Sequence, residues 1–467
     1  MRKTKIVATI GPASRDEKVL AKLVDAGLDI ARLNFSHGER EEHAEILKLI
    51  RDRFPEICVM LDTQGPEMRL GEVVDGTILG EGDYVELSHG DFVGNSKKLS
   101  VDHPKLNDHI DVGDVILLSD GEVELKVEEL KYSAHCRVIY GGEISSRKSV
   151  NVPGKDVGLE TPTEKDVKDI RFGIKHGFDL VSLSFVKSGD DIRKVKKLLE
   201  GSGIHIVAKI EHMKAVDNID EIIREADAVM IARGDLGVEV PPSEVPLLQK
   251  MIIQKCNLAE KPVIVATQML KSMTESPRAT RAEVSDVANA VVDGADAVML
   301  SEETAIGNYP VKSLEVMSEV VMKMEEYLSG RVHHTVGEKS KDTADIIAKS
   351  VWQACRDTDA RYIVAHTSSG YTAHKIAKLR PDTHIIAFTD SHLVRRQLNL
   401  VRGVKAYHIE FPEHVDVMFR DTTEFLFERG EVDKEDTLIL TAGVPQPVTG
   451  ITNMMEIRTV ESLLGEI

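Results

Sequence analysis

Eight short apolar runs, each followed by a helix-like stretch, constrain this chain more than any other feature. They fall at residues 5–10, 30–35, 57–61, 179–185, 205–210, 228–232, 263–267 and 297–300. Such alternation predicts βα units around a parallel sheet. Eight is the number that closes a (β/α)8 TIM barrel. The texture changes between the third run and the fourth. From about Gly71 to Val152 the chain shows period-two runs and the turn pairs Gly82-Asp83, Asp120-Gly121 and Gly141-Gly142. The last two read as hairpin turns. Residues 70–152 are therefore expected to form an all-β domain inserted after the third strand. Active sites of such barrels lie on that side, so the insertion is placed to act as a lid. The barrel would comprise 1–69 and 153–333. A polar stretch at 331–341 reads as a linker, and 334–467 as a separate, open α/β domain.

With 467 residues the chain is too long for one core. Its 59 Lys and Arg against 78 Asp and Glu give a net charge of −19, which argues against a nucleic-acid partner. A pocket for a phosphate ester would have to be locally positive. The four cysteines, Cys58, Cys136, Cys256 and Cys355, are widely spaced. Neither a zinc site nor a disulfide framework is indicated, which fits the cytoplasm. No signal peptide is expected, and no apolar run is long enough to place the chain in a membrane.

Polar residues gather where the predicted strands end. Residues two apart in a strand share a face, so Lys209 and Glu211 point the same way. Asp235 follows the next strand. Two carboxylates are too few to cage an ion, which suits Mg2+, a cation that keeps waters and accepts substrate oxygens. A lysine beside such a metal can hold a phosphoryl group in flight; a structural ion pair at a strand end is the other reading. Arg32, Asn34 and Ser36 share a face of the second strand. Asp62 and Thr63 end the third, Thr267 the seventh and Ser301 the eighth. Arg32 alone reads equally as a salt-bridge partner. Asn34, Ser36, Asp62 and Thr63 read as helix caps or, together, as oxygen donors to a weakly hydrated monovalent cation.

Longer motifs carry a resemblance. They are Lys5-Ile6-Val7-Ala8-Thr9-Ile10-Gly11-Pro12, Ala31-Arg32-Leu33-Asn34-Phe35-Ser36-His37-Gly38 and Leu61-Asp62-Thr63-Gln64-Gly65-Pro66-Glu67-Met68-Arg69. Thr163-Glu164-Lys165-Asp166, Lys209-Ile210-Glu211, Ala232-Arg233-Gly234-Asp235-Leu236-Gly237 and Ala266-Thr267-Gln268-Met269-Leu270 follow in order. The chain resembles the pyruvate kinases across the whole barrel, with counterparts of that family's β-barrel lid and C-terminal regulatory domain. The resemblance implies transfer of a phosphoryl group from phosphoenolpyruvate to ADP, giving pyruvate and ATP in the last step of glycolysis. It implies that Arg32 holds the phosphate and that Lys209 stabilises its charge. Glu211 and Asp235 would bind Mg2+ or Mn2+, amides near Gly234 and Asp235 the substrate carboxylate, and Thr267 would sit beside the protonated carbon. Asn34, Ser36, Asp62 and Thr63 would hold K+, while Asn34, His37, Arg69 and Lys165 would meet the nucleotide. A homotetramer is implied. Another barrel enzyme acting on phosphoenolpyruvate or pyruvate, a metal-dependent aldolase or lyase, is the first competing reading. A catalytically dead metabolite-binding regulator is the second.

Two positions depart from the family's commonest pattern. Gln64 replaces a lysine usual in potassium-using members, and Leu70 resembles the potassium-independent branch. Thr63 and Glu67 follow the potassium-using pattern, so K+ dependence is expected. Glu302 stands where many members have glycine, so an ordinary backbone and a solvent-facing side chain are expected there. In the C-terminal domain, Thr367, Ser368, Ser369, Gly370 and Thr372 precede or open a helix. Hydroxyls and amides there read as ordinary caps; the resemblance turns them into a candidate site for a phosphorylated allosteric effector.

Overall fold

Alternation of inward and outward side chains builds the barrel. Its strands are β1 (Lys5–Thr9), β2 (Ile30–Asn34), β3 (Cys58–Asp62), β4 (Leu180–Leu183), β5 (His205–Ile210), β6 (Ala228–Ala232), β7 (Val263–Ala266) and β8 (Ala297–Leu300). All pair in parallel with their chain neighbours, and β8 closes onto β1. One set of alternate residues, among them Val7, Ile30, Cys58, Met60, Val207, Met230 and Met299, fills the interior. The other set, among them Ile6, Ala31, Leu61, Ala208 and Ile231, packs under the outer helices. Leu400, from the C-terminal region, joins the interior set. These observations come from a computed structural model that describes residues 1–330, 342–443 and 452–465. The expected linker at 331–341, and the expected boundary at 333/334, lie outside the described residues.

The segment between β3 and β4 carries its own apolar core, including Leu70, Leu99, Leu118, Leu125 and Val138. It forms a six-stranded, largely antiparallel sheet and a two-stranded ribbon. A short turn at Asp120-Gly121 joins the antiparallel strands Val115–Leu118 and Val123–Leu130 as expected. Gly141-Gly142 is not a hairpin turn: Ala134–Tyr140 and Gly142–Ile144 belong to different sheets, and the latter pairs with Thr77–Leu79. The glycine serves close approach instead, because a Cβ on Gly141 would stand 2.2 Å from the Leu79 carbonyl oxygen.

The C-terminal region is a five-stranded sheet ordered Val404–His408, His384–Thr389, Tyr362–His366, Thr437–Ala442, Met454–Thr459. Only the last strand is antiparallel, and apolar clusters cover both faces. Among the described residues no helix is long and apolar enough to cross a membrane. All four cysteines are unpaired.

Candidate active site

At the carboxyl ends of the strands the inward set turns polar. Thr9 follows Val7, Arg32 follows Ile30, Asp62 follows Met60 and Lys209 follows Val207, so strand geometry puts all four in one layer above the apolar fill. Asp62 is fully buried and Arg32 is 8% exposed. The Arg32 guanidinium donates from Nε to Asp62 Oδ2 at 2.6 Å and from Nη1 to Thr9 Oγ1 at 2.7 Å. Lys209 Nζ donates to Ser184 Oγ at 2.7 Å and stands 2.8 Å from Glu211 Oε1 and 3.4 Å from Asp62 Oδ1. Glu211 is 2% exposed, and its Oε2 accepts the Phe185 amide at 2.7 Å.

The charges support one another. Burial works to lower Lys209, but Asp62 and Glu211 outweigh it and hold the ammonium above the usual lysine range. Burial works to raise Asp62, but Arg32 and Lys209 outweigh it and keep that carboxyl below the usual range. Asp235 opens onto a cleft, yet the protein packed around it, and then the charge on Glu211, raise its pKa to about 7. Two carboxylates set against each other in this way favour a cation between them. Among the described residues no three His, Cys, Asp or Glu side chains are grouped to hold a metal. Any divalent ion at Glu211 and Asp235 would therefore need ligands from water or substrate.

The cleft, of about 240 Å³, lies between the barrel mouth and the inserted sheet. Asp235, Phe185, Lys187 and His212 line it from the barrel, and Arg69, Asp120 and Lys148 from the other side. Thr267 has left β7 and holds φ +66°, an uncommon conformation for a β-branched residue. That turn aims its hydroxyl at the helix Arg233–Glu239, where Oγ1 accepts the Gly234 amide at 2.7 Å. The same hydroxyl donates to the Ala266 carbonyl at 2.7 Å.

The chain matches the family described as pyruvate kinase, barrel domain, over residues 1–314, and that described as pyruvate kinase, alpha/beta domain, over 345–458. A pyruvate kinase of Sporosarcina psychrophila is 43% identical over all of this chain and 82% of its own length. One of Geobacillus stearothermophilus is 44% identical over all of this chain and 81% of its own. This chain belongs to the pyruvate kinase family. Its fold is that of a solved pyruvate kinase from Cryptosporidium parvum, with TM-score 0.92 at 36% identity, covering 98% of this chain and 96% of that one. Enzymes of this family move a phosphoryl group from phosphoenolpyruvate to ADP.

Other residues named from this pyruvate kinase sequence are placed as follows. Asn34 lies opposite Asp62 in the β2–β3 register, and its Oδ1 accepts the Ser36 amide at 3.1 Å. Asp62 Oδ1 makes no hydrogen bond. The Thr63 carbonyl accepts the Ser184 hydroxyl at 2.6 Å. His37 is exposed. Arg69 pairs with Glu67 on the cleft wall. Lys165 does not line the cleft: its ammonium donates to the Phe35 carbonyl at 2.6 Å and to Asp169 at 2.8 Å. Glu302 sits in an ordinary helical turn, its side chain 56% exposed. Thr9, Ser184 and Phe185 went unread. Ser182 and Ser184 alternate at the end of the fourth run just as Arg32 and Asn34 do in the second, and that signal points to Ser184. Glu303 also went unread; it is 2% exposed and accepts the Leu270 and Ser301 amides at 3.0 and 2.7 Å.

In the C-terminal region Gly370 holds φ +84°, and the helix Tyr371–Ala377 has no side-chain cap at its start. Thr367 and Thr372 are buried, and the Thr372 hydroxyl meets that of Thr452 at 2.7 Å. Ser368 Oγ lies 3.4 Å from Asp390, and Ser369 is exposed.

Proposed function

We propose that the Arg32–Asp62–Lys209–Glu211 layer is where this chain transfers the phosphoryl group of phosphoenolpyruvate to ADP. One observation carries the assignment to this layer: a buried ammonium and a buried guanidinium meet at one carboxylate, and Phe185, whose amide holds the neighbouring Glu211, lines the cleft together with Asp235. Phosphoryl transfer asks mainly for positioning and fixed positive charge, and these groups supply both before substrate arrives. Arg32 holds the phosphate, locked in place by Asp62 and Thr9. Lys209 stabilises the charge on the phosphoryl oxygens as the bond breaks.

Glu211 and Asp235 would hold Mg2+ or Mn2+, which supplies charge neutralisation at the phosphoryl oxygens when bound. The rise of the Asp235 pKa, from burial and then from the Glu211 charge beside it, supports this. Asn34, Ser36, Asp62 and Thr63 would hold K+, supported by the Asn34–Asp62 register and by an Asp62 Oδ1 that takes no hydrogen bond, only the Lys209 charge at 3.4 Å. Gly234 and Asp235 would orient the substrate carboxylate. The Gly234 amide is given to Thr267 here, so substrate binding would exchange one acceptor for another. Thr267 would stand beside the carbon that is protonated. Its own proton is directed at the Ala266 carbonyl, which favours a water molecule as the final donor. Arg69, Asn34, His37 and Lys165 would contact the nucleotide.

Residues 1–69 and 153–333 act as the catalytic body, 70–152 as its lid, and 334–467 as the regulatory domain. The uncapped helix start after Gly370 supports a phosphorylated effector at Thr367, Ser368, Ser369, Gly370 and Thr372. The assembly would be a homotetramer in the cytoplasm.

Initial rates of ATP formation from phosphoenolpyruvate and ADP, with Mg2+ and K+ omitted in turn, test this reading. An aldolase or lyase, or a dead regulator, would form no ATP.

A further inference from the structure

Thr267 and the residue after it stand in an unusual backbone conformation. Thr267 and Gln268 hold φ +66° and +55° in succession, and neither is glycine. Side-chain-bearing residues enter this region singly and at a cost, a β-branched one most of all. Two in a row persist only where the surroundings hold them. The Gln268 side chain is exposed, so the restraint comes from elsewhere. One end of the turn is anchored below: Met269 and Leu270 are fully buried, and the Leu270 amide donates to Glu303 at 3.0 Å. The other end is held by Arg233.

Arg233 opens the helix that follows β6, and its side chain is 10% exposed. Its Nη2 donates to the Thr267 carbonyl at 2.9 Å and lies against the Met269 sulfur. Its Nη1 pairs with Asp286 at 2.7 Å and reaches Gln249 Oε1 at 3.4 Å. The planar fork thus ties the strained turn to the helix Arg281–Asp293, which carries Asp286. Nε is buried without a hydrogen bond. An unsatisfied buried donor is costly, so the side chain gives up one donor to keep the two Nη contacts. None of these partners belongs to the Arg32–Asp62–Lys209–Glu211 layer. The next residue completes the grip. The Gly234 amide donates to Thr267 Oγ1, and a Cβ on Gly234 would stand 3.3 Å from that oxygen. Consecutive residues therefore hold one threonine, Arg233 by its carbonyl and Gly234 by its hydroxyl.

We infer that Arg233 is a positioning residue for the protonation half of the reaction. It fixes the Thr267 carbonyl, and the Thr267 hydroxyl then keeps one orientation beside the carbon that takes up the proton. The phosphoryl half draws on Arg32 and Lys209, to which Arg233 is not bonded. This rests on the phosphotransferase reading and deepens it by separating its two halves. In the second half the enolate of pyruvate forms a C–H bond at its terminal carbon with a proton from solvent, and its oxygen becomes a carbonyl. In reverse, a methyl C–H bond of pyruvate breaks and the proton returns to solvent.

The ratio of the two halves tests the assignment. Exchange of the pyruvate methyl protons with D2O, followed by NMR with ATP, Mg2+ and K+ present, reads the second half. ATP formation from phosphoenolpyruvate and ADP reads the first, since a released enolate ketonises in solution. Arg233→Met is expected to lower exchange about a hundredfold, the scale of a misplaced group, and ATP formation less than about tenfold. KM for ADP is expected to stay within about twofold. Arg233→Lys can reach Thr267 or Asp286 but not both, and is expected to recover part of the exchange. In a Thr267→Ala background, Arg233→Met is expected to lower exchange less than about threefold further, because the group it positions is gone. Equal losses of exchange and ATP formation overturn the inference. So does a further loss of about a hundredfold in the Thr267→Ala background. If Arg233→Met does not fold, as circular dichroism would show, the ratio is read in Arg233→Lys and judged in the same way. A parent that forms no ATP overturns the phosphotransferase reading and this inference with it. An active parent whose variants lose both halves equally overturns this inference alone.

Discussion

Lys209 Nζ lies 3.4 Å from Asp62 Oδ1, the one oxygen of that carboxylate that the Arg32 guanidinium leaves without a hydrogen bond. Asp62 therefore aligns two cations at once. Replacing Lys209 by methionine keeps the volume and removes the ammonium, and kcat is expected to fall by about 10³-fold or more, as for other preorganised charge donors. Stopped-time assays of ATP formation check this, and near-native turnover would remove Lys209 from the reaction.

Potassium should be required. Asn34, Ser36, Asp62 and Thr63 offer neutral oxygens and one carboxylate oxygen, and Glu67 cannot stand in for a cation. In tetramethylammonium buffer free of K+ the rate is expected to drop about a hundredfold, the scale of losing one fixed charge. Full activity without K+ would show that Gln64 and Leu70 mark the independent branch after all.

Gly65 holds φ +76°, and a Cβ there would stand 2.7 Å from the Phe185 ring and 2.8 Å from Ser184 Cβ. Those two residues fasten Glu211 and Lys209. Gly65→Ala is expected to cost about 1–3 kcal/mol of stability and to lower kcat as well, because the displaced residues are the ones that hold the charges. Urea unfolding with parallel rate measurements decides; a stable and fully active variant would mean that the loop yields without disturbing the layer.

His366 is 3% exposed in the C-terminal core, against the Thr441 carbonyl and the Thr422 hydroxyl, each at 3.1 Å. Burial lowers its pKa to about 4. Between pH 6.5 and 4 the unfolded chain binds a proton there that the folded chain refuses. Stability is therefore expected to fall as pH is lowered through that window, by about 1.4 kcal/mol per unit for this site, and to level off below it. His366→Gln should lower the slope by this site's share, with His374 and His384, which burial also lowers to about 4, carrying the rest. An equal slope in the variant would assign the acid sensitivity elsewhere.

Most of the barrel was legible because period two is a strict rule once a strand is buried on both faces. The same rule that hides Val207 inside carries Lys209 to the mouth, and Arg32 and Asp62 follow Ile30 and Met60 in the same way. What escaped obeys other physics. Thr267 was read as the end of a strand, but its positive φ depends on neighbours that a local pattern does not contain. Gly141 looked like a turn and is a gap left for another strand's carbonyl, a long-range contact with no local signature.

Leu400 enters the foot of the barrel alongside Met60 and Met230. The floor of the catalytic cylinder is thus completed by a side chain one hundred residues beyond the end of its last strand. The packing of the barrel interior therefore draws on the final quarter of the chain, and a protein cut after β8 would lack one of its interior side chains.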